Sequence, residues 1–517
     1  MPIAPSFSIT QDDGFVIVKI RVPYVRISSA EMICEKHDFS FYCHPYLLKL
    51  SFPCPLDGDD EEKCKAVYDA DEDNGTIRAF LPKLTRGEVF PDLDLTTLLL
   101  QRRVERDFGT LQSGIPPIIE VVSSSSGSCG PDDLMPVDTA SLISAGSVIV
   151  GPPRYGFNRN YERLFLSFRE ELVEMVELGD PDAVQECDRR ALRRAHEDSL
   201  FNPERYLADF FGAESDPIYA EAMAYEPVWS AQWTAWKSAE EDDEDATCDA
   251  AFAGFSEHED AVLKSLPNKR QLLEGRGSQS ERELLLGLMD ILFAFCFEFR
   301  QTRGEFTVES AHNLTRLSAL LSWLDAYKED ADCARSVVHN ACRRGIVYPY
   351  MRSWKLCRKV LADVAKVLYL GKRCILKCLL NLHSLYSHTD SHYMLNKMYI
   401  DDYCVWLQAA DNASLDDAAD EFNQAKREME RSEHHGKKVA GFMLPELEAW
   451  AFNQEDGQAE IPAELRHPYL NGSAPSLEAN FSNMLLSIAK PPIPPTADPA
   501  QKQQLVPLIS VLSSTEA

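Results

Sequence analysis

No two of the fourteen cysteines in this 517-residue chain stand at C-x-x-C spacing, and they are scattered from Cys34 to Cys404. In a chain this long, that distribution fits neither a disulfide scaffold nor a zinc site, and reduced, mostly buried thiols are expected. The first residues, Met1 to Gln11, carry no basic segment followed by an apolar run. No secretory signal is therefore expected, and the compartment is expected to be cytosol or nucleus. Long apolar runs are scarce too. The best of them, 284–299, falls short of the ~20 residues a spanning helix needs. It also contains Asp290 and Glu298, so a buried core helix is expected there and no membrane span.

Local catalytic signatures are equally sparse. There is no G-x-x-x-x-G-K-[ST] loop, no G-x-G-x-x-G after a strand and no H-E-x-x-H helix, so neither a phosphate cradle nor a metalloprotease helix is expected. Positive charge is in the minority: 82 acidic residues against 52 basic ones give a net charge of -30. A field of that sign opposes nucleic-acid binding by the whole molecule and favours a basic partner, although solubility alone is a sufficient use for it.

What is present is globular composition, 45% apolar and 26% charged, spread over more residues than one core usually organises, so at least two domains are expected. Residues from Phe7 to about Pro82 read as strands. The run 15–22 alternates apolar and polar toward its end and is stopped by Pro23. Shorter runs follow at 39–43, 46–52 and 76–81, separated by His44-Pro45, Pro53 to Pro55 and Asp73-Asn74-Gly75. Such spacing predicts an antiparallel sandwich. From about 101 to 151 the chain turns to Pro, Ser and Gly, which predicts a flexible linker.

Beyond Tyr155 the period becomes helical, as in Leu164, Phe168, Leu172 and Met175, with a break at Asp180-Pro181. Long helices are predicted over 281–300, 310–328, 354–369, 372–386 and 414–434, with Gly371 as a helix terminator. The acidic run 240–245 has no apolar face and reads as an exposed loop. The domain boundaries that follow are 1–98 for the sandwich, 99–153 for the linker and 154–453 for an all-helical domain. A Pro-rich tail, expected to be disordered, occupies 454–517.

Several side-chain groups invite a chemical reading. His383, His388 and His392, with Asp390 and Cys378, are the nearest approach to a metal set. Thr389-Asp390-Ser391 reads as an interhelical turn, so exposed loop histidines are the expected outcome. Cys374 and Cys378 share a helix face and are expected to be small buried hydrophobes. Glu170-Glu171 and Asp401-Asp402 are expected to be solvated, because sequence neighbours on a helix do not face each other. A cationic stretch runs from Arg343 through Arg344, Arg352, Lys355, Arg358 and Lys359 to Lys366, Lys372, Arg373 and Lys377. Tyr348, Tyr350, Trp354 and Tyr369 are interleaved with it. Such a mixture can bind single-stranded nucleic acid, or it can pair with acidic groups of the same domain around core aromatics. No catalytic residue, cofactor or metal site is assigned.

The helical half resembles the dyskerin-binding assembly chaperones of box H/ACA ribonucleoproteins. The blocks that carry the resemblance are Tyr206-Leu207-Ala208-Asp209-Phe210-Phe211, Leu370-Gly371-Lys372, Leu376-Lys377-Cys378-Leu379-Leu380 and Tyr399-Ile400-Asp401-Asp402-Tyr403-Cys404-Val405-Trp406. Tyr155-Gly156-Phe157 resembles the entry to that family's helical domain. In the first half, Ile20-Arg21-Val22-Pro23-Tyr24, Asp38-Phe39, Phe41-Tyr42, Pro45-Tyr46, Thr76-Ile77-Arg78 and Leu81-Pro82-Lys83 are similar to the family's CS-type sandwich, the fold of small heat-shock proteins. The resemblance spans about 7–98 and 155–410.

It implies a multidomain fold: an N-terminal all-β CS-type antiparallel sandwich followed by a C-terminal all-α helical domain. It also implies a non-enzymatic, ATP-independent chaperone that holds the pseudouridine synthase dyskerin and shields its RNA-binding surface as an RNA mimic. Such a protein is expected to be a monomer that forms a heterodimer with its client, in nucleoplasm and cytoplasm, without nucleic acid or membrane. The alternative is a co-chaperone that delivers clients to the ninety-kilodalton heat-shock chaperone through its CS domain. A third is an enzyme with an unrecognised metal or thiol site. Large aromatics and arginines anchor many interfaces. Within the matching region the expected partner contacts are therefore Tyr206, Phe210, Phe211, Arg343, Arg344, Tyr348, Tyr350, Tyr403 and Trp406, with helical core as the competing reading for each.

Overall fold

A computed structural model of the chain describes residues 4–23, 30–57, 64–69, 75–100, 152–167, 172–213, 215–242, 252, 254–267, 281–328, 331–434, 438–453, 461–462 and 465. The stretch 101–151, Tyr24, Asp73, Asn74, Phe168, Glu170, Glu171, the end of the acidic run and most of the tail lie outside the described residues.

The described residues form seven strands: β1 Ser6–Gln11, β2 Phe15–Arg21, β3 Glu31–Glu35, β4 Asp38–Cys43, β5 Tyr46–Ser51, β6 Lys65–Asp69 and β7 Thr76–Pro82. They form two antiparallel sheets, one ordered β1-β2-β7-β6 and the other β3-β4-β5. The period of two turns Val16, Val18 and Ile20 inward from β2, where Val18 sits opposite Ile9 and Ala79. Phe39 and Phe41 of β4, opposite Leu50 and Leu48, supply the facing layer. Each such side chain contributes ~1.5–3 kcal/mol relative to exposure. The predicted strands over 15–22, 39–43, 46–52 and 76–81 are all here. β3 and β6, which the pattern did not single out, are edge strands without a fully buried residue. Gly75 enters β7 at φ 121°, and a Cβ there would lie 3.1 Å from the Val22 carbonyl oxygen.

The remainder is helical. In chain order the helices are α1 Thr96–Leu99, α2 Leu172–Met175, α3 Glu186–Leu200, α4 Pro203–Gly212, α5 Pro217–Ala224, α6 Val228–Asp242, α7 Glu257–Ser265 and α8 Glu281–Gln301. They continue with α9 Ser310–Leu317, α10 Ala319–Trp323, α11 Ala334–Val347, α12 Trp354–Tyr369, α13 Gly371–Ser387, α14 Tyr393–Leu395, α15 Asp401–Ala409, α16 Asn412–His434 and α17 Leu444–Phe452. One π turn, Asn396–Ile400, joins α14 to α15. Gly371, the first residue of α13, takes φ 75°, which lets the chain turn out of α12 without a steric penalty.

The core is built around α8, which is apolar on every side and buried along nearly its whole length against α9 to α13 and α16. The two carboxylates in its interior, Asp290 and Glu298, are accommodated by hydrogen bonds. Asp290 accepts from Ser318 Oγ at 2.5 Å, Leu320 N–H at 3.1 Å and Tyr327 Oη at 3.0 Å. Glu298 accepts from Ser310 Oγ at 2.6 Å.

The same contacts explain a difference from the expected helix over 310–328. The segment is broken at Ser318, whose backbone is extended and whose hydroxyl accepts from Leu321 N–H to start α10. An unbroken helix would deny Asp290 its donors. The helical period at Leu164 to Met175 likewise gives a 3-10 turn, Leu164–Ser167, and the short α2.

The two halves touch through α1. Leu95, just before it, belongs to the helical core, whereas Leu99 belongs to the sandwich core. The boundary expected at 98 therefore falls inside a helix that bridges both. Arg373 of α13 donates Nε–H to Asp94 Oδ2 at 2.8 Å and Nη2–H to Asp92 Oδ1 at 3.0 Å. Thr97 Oγ1 donates to the Leu263 carbonyl, and the Lys264 ammonium lies 4.6 Å over the Phe7 ring.

Candidate partner-binding surface

The expected contact residues divide by burial. Tyr206 is 1% exposed and donates its hydroxyl proton to Glu448 Oε1 at 2.6 Å. Tyr403 is buried and donates to the Leu284 carbonyl at 3.1 Å, its ring edge-on to Phe157 at 4.8 Å. Trp406 packs beside both. The Gly156 N–H, in turn, donates to Tyr399 Oη at 3.1 Å. The blocks Tyr155 to Phe157 and Tyr399 to Trp406, far apart in sequence, thus meet in the interior. Their aromatics fill the core, and in this fold Tyr206, Tyr403 and Trp406 are not available to a partner.

Arg343 and Arg344 are enclosed in the same way. They sit on the inner face of α11 in a buried ionic network with α3. Glu197 accepts from Arg343 Nε at 2.6 Å, from Arg344 Nη1 at 2.7 Å and from Arg193 Nη1 at 2.8 Å. Arg344 also donates to Glu177 Oε2 at 2.7 Å, and Arg193 to Asp325 Oδ2 at 3.0 Å. Burial by itself raises the Glu197 carboxyl, but the three guanidiniums outweigh it and hold the group at about 2. Tyr348 is half-buried beneath Arg344, whose Cζ lies 4.5 Å from the ring centroid.

The rest of the cationic stretch disperses around the domain. Lys359 donates to the Met223 carbonyl, Lys372 to the Ala410 carbonyl, Lys377 to the Gly254 carbonyl, and Arg373 to the sandwich. Trp354 is core. The pairing of these cations within the domain replaces the picture of one basic track.

The histidines also separate into local contacts. His383 Nε2 lies 3.2 Å from Asp401 Oδ1, His388 Nδ1 lies 2.6 Å from the Ser384 carbonyl, and His392 is buried beside Tyr386 and His312. Among the described residues, no three His, Cys, Asp or Glu side chains converge as a metal set, and no helix is long and apolar enough to cross a membrane. Asp402, expected in solvent, is buried. Cys374 and Cys378 are buried as expected, and a hydrogen bond between them, together with burial, pushes the Cys378 thiol up.

What remains exposed is a ledge on α4. Phe211 is 49% exposed and Phe452 of α17 is 68% exposed, and their rings meet edge to face at 5.4 Å with Phe210 completing the triad. Lys355 lies 5.8 Å over Phe210, and Arg352 donates to Asp209 Oδ2 at 2.9 Å, so the segment carrying the exposed Tyr350 borders the same ledge.

A second surface is acidic. Asp416, Asp417 and Asp420 are exposed on the first turns of α16, and burial and mutual repulsion with Asp411 raise the Asp416 carboxyl. Neither Phe452 nor this acidic row was singled out from sequence. A four-residue spacing of aspartates was the legible signal for the latter.

Comparison with known proteins fits both halves. Residues 4–100 match the profile described as "SHQ1-like, CS domain", and residues 244–435 match the "SHQ1 protein, Shq1 domain". "Protein SHQ1 homolog" of Xenopus tropicalis is 33% identical over 468 residues, covering 89% of this chain and 71% of that protein. The Mus musculus protein of the same name is 34% identical over 467 residues, covering 88% of this chain and 76% of its own. "Protein shq1" of Schizosaccharomyces pombe is 28% identical over 429 residues, covering 80% and 90%. With a CS-type sandwich and a helical domain that each match, and relatives similar across most of both chains, this chain belongs to the SHQ1 family of box H/ACA ribonucleoprotein assembly chaperones.

Proposed function

We propose that this assembly chaperone holds a dyskerin-type pseudouridine synthase before guide RNA arrives, and covers its RNA-binding surface with carboxylates where phosphates later lie. The observation that carries the reading is the net charge of -30 on a chain of this family. An RNA-binding surface is basic, and an acidic protein that covers it gains attraction and a fast encounter, both screened by salt. Asp416, Asp417 and Asp420 are the carboxylates we assign to that role, and Phe210, Phe211, Phe452 and Tyr350 are the apolar anchors. The complex is a heterodimer that forms without ATP and persists in cytoplasm and nucleoplasm until guide RNA displaces the chaperone.

The test is co-purification of the full chain with the synthase, followed by addition of guide RNA. Recovery of a one-to-one complex that RNA dissociates is the expected result. Replacing the three aspartates by asparagine is expected to weaken binding and flatten its salt dependence. Phe211→Ala with Phe452→Ala is expected to weaken it by an order of magnitude or more without loss of folding, as for truncated anchors. Failure of the full chain to bind the synthase, or a complex indifferent to RNA, would sink the reading. A co-chaperone role through the CS domain rests on the sandwich match alone. Binding of the ninety-kilodalton heat-shock chaperone without any binding of the synthase would put it first.

A further inference from the structure

Away from the ledge, α6, α12 and α16 leave a groove of about 540 Å3 between them. Its floor is aromatic. The Trp233 ring stands 5.2 Å from Trp236 at 70° and 5.6 Å from Tyr369 at 47°, and all three rings are half-buried against the helical core. Its rim is cationic. Lys237 lies 5.1 Å over Trp233 and 4.4 Å over Trp236, while Lys366 and Lys426 are half-buried and Arg427 is exposed. Lys366 donates to Ser230 Oγ at 3.0 Å, a neutral partner. Asp420 accepts the Tyr369 hydroxyl proton at 2.7 Å, so a carboxylate borders the groove at that ring. Burial, and after it the neighbouring Arg427 and Lys366, lower the Lys426 ammonium, while Glu430 raises it.

We propose that this groove binds a short acidic peptide segment of a partner protein, with its carboxylates on Lys366, Lys426 and Arg427 and one apolar side chain against Trp233 and Tyr369. The charge complementarity is local: a patch of positive potential on a chain of net charge -30. Screening confines that patch to ~8 Å at physiological ionic strength. A short peptide stays within it. A nucleic-acid strand, with one phosphate per residue, would leave the groove and run into the negative field of the rest of the molecule, which disfavours it. The sign of the groove is opposite to that needed for a basic RNA-binding surface, so the peptide's owner is a second partner, bound beside the acidic row, which meets the groove where Asp420 accepts from Tyr369.

Fluorescence polarisation on the full chain tests this with three labelled probes: an Asp/Glu-rich peptide with one central Phe, the same peptide with Asn/Gln in place of Asp/Glu, and an oligothymidylate of similar length. The acidic peptide is expected to bind at least about tenfold more tightly than either of the others, the difference between one or two charge-assisted contacts and none. Arg427→Glu, an exposed position, is expected to weaken the acidic peptide by about tenfold with the thermal midpoint unchanged, and Lys366→Gln to do so to a similar degree. Equal binding of acidic and neutral peptides, no effect of Arg427→Glu, or tighter binding of the oligonucleotide would each overturn the proposal. So would acidic-peptide binding that appears only after the carboxylates of 240–245 are replaced by amides, because the groove would then belong to the chain's own acidic run.

Discussion

The Arg343 guanidinium donates Nε–H to Glu197 Oε2 at 2.6 Å, with both side chains fully enclosed between α11 and α3. Among the described residues, Glu197 is the carboxylate shared by Arg343, Arg344 and Arg193, and it sits at the centre of a cluster whose arginines also reach Asp198, Glu177 and Asp325. Replacing Glu197 by Gln keeps its shape and removes its charge. Breaking a buried pair from one side costs about 3–5 kcal/mol, because the remaining charges stay buried. Denaturant titration is expected to show a loss of that order, and a loss below about 1 kcal/mol would show that the arginines find other counter-charge.

The same carboxylate sets an acid limit. Its pKa is about 2 in the fold, below the ordinary value of 4.5, so the stability it supplies is complete above about pH 4.5 and is lost as pH falls toward 2. Asp290, Glu298 and Asp363, all raised by burial, act in the opposite sense. The comparison that isolates Glu197 is therefore wild type against Glu197→Gln. Between pH 4.5 and 2, the dependence of unfolding free energy on pH is expected to be shallower in the variant by one proton. Parallel curves would contradict the assignment.

Arg373→Ala is expected to loosen the sandwich from the helical domain. The substitution removes the paired hydrogen bonds to Asp92 and Asp94, which are about one-third exposed and therefore partly screened. The coupling lost is about 1.5 kcal/mol, the low end for charge-assisted bonds. Small-angle scattering of the full chain is expected to show a larger radius of gyration, and limited proteolysis faster cleavage near α1. Unchanged profiles would mean that the Leu95 and Thr97 contacts suffice.

Gly287→Ala tests the packing of Tyr403. A Cβ at Gly287 would stand 2.5 Å from the Tyr403 hydroxyl oxygen and 3.0 Å from Leu320 Cδ2. Overpacking of this kind costs about 1–3 kcal/mol. The thermal midpoint is expected to fall accordingly. A neutral result would show that the Tyr403 hydroxyl can leave the Leu284 carbonyl without cost.

Sequence by itself determined the local elements and their order. The period of two in β2 and the period of 3.6 in α12, α13 and α16 are written in the spacing of apolar side chains, and each of these elements buries the face that its own pattern marks, while α8, apolar all round, is buried on every side. Edge strands β3 and β6 and the break at Ser318 were less legible. The edges bury too little to leave a pattern, and the break depends on Asp290, which reaches Ser318 from another helix.

Tertiary structure alone decided which aromatics and arginines face inward. Tyr206 and Phe211 lie in one helix and one matching block, yet the first is 1% exposed and the second 49%. Arg343 and Arg427 carry the same charge, yet the first is enclosed around Glu197 and the second stands open on the rim of a groove. A ring or a guanidinium can gain free energy by burial against its own chain or against a partner. Which gain is realised depends on what the rest of the fold brings opposite it, and that is information no single segment holds.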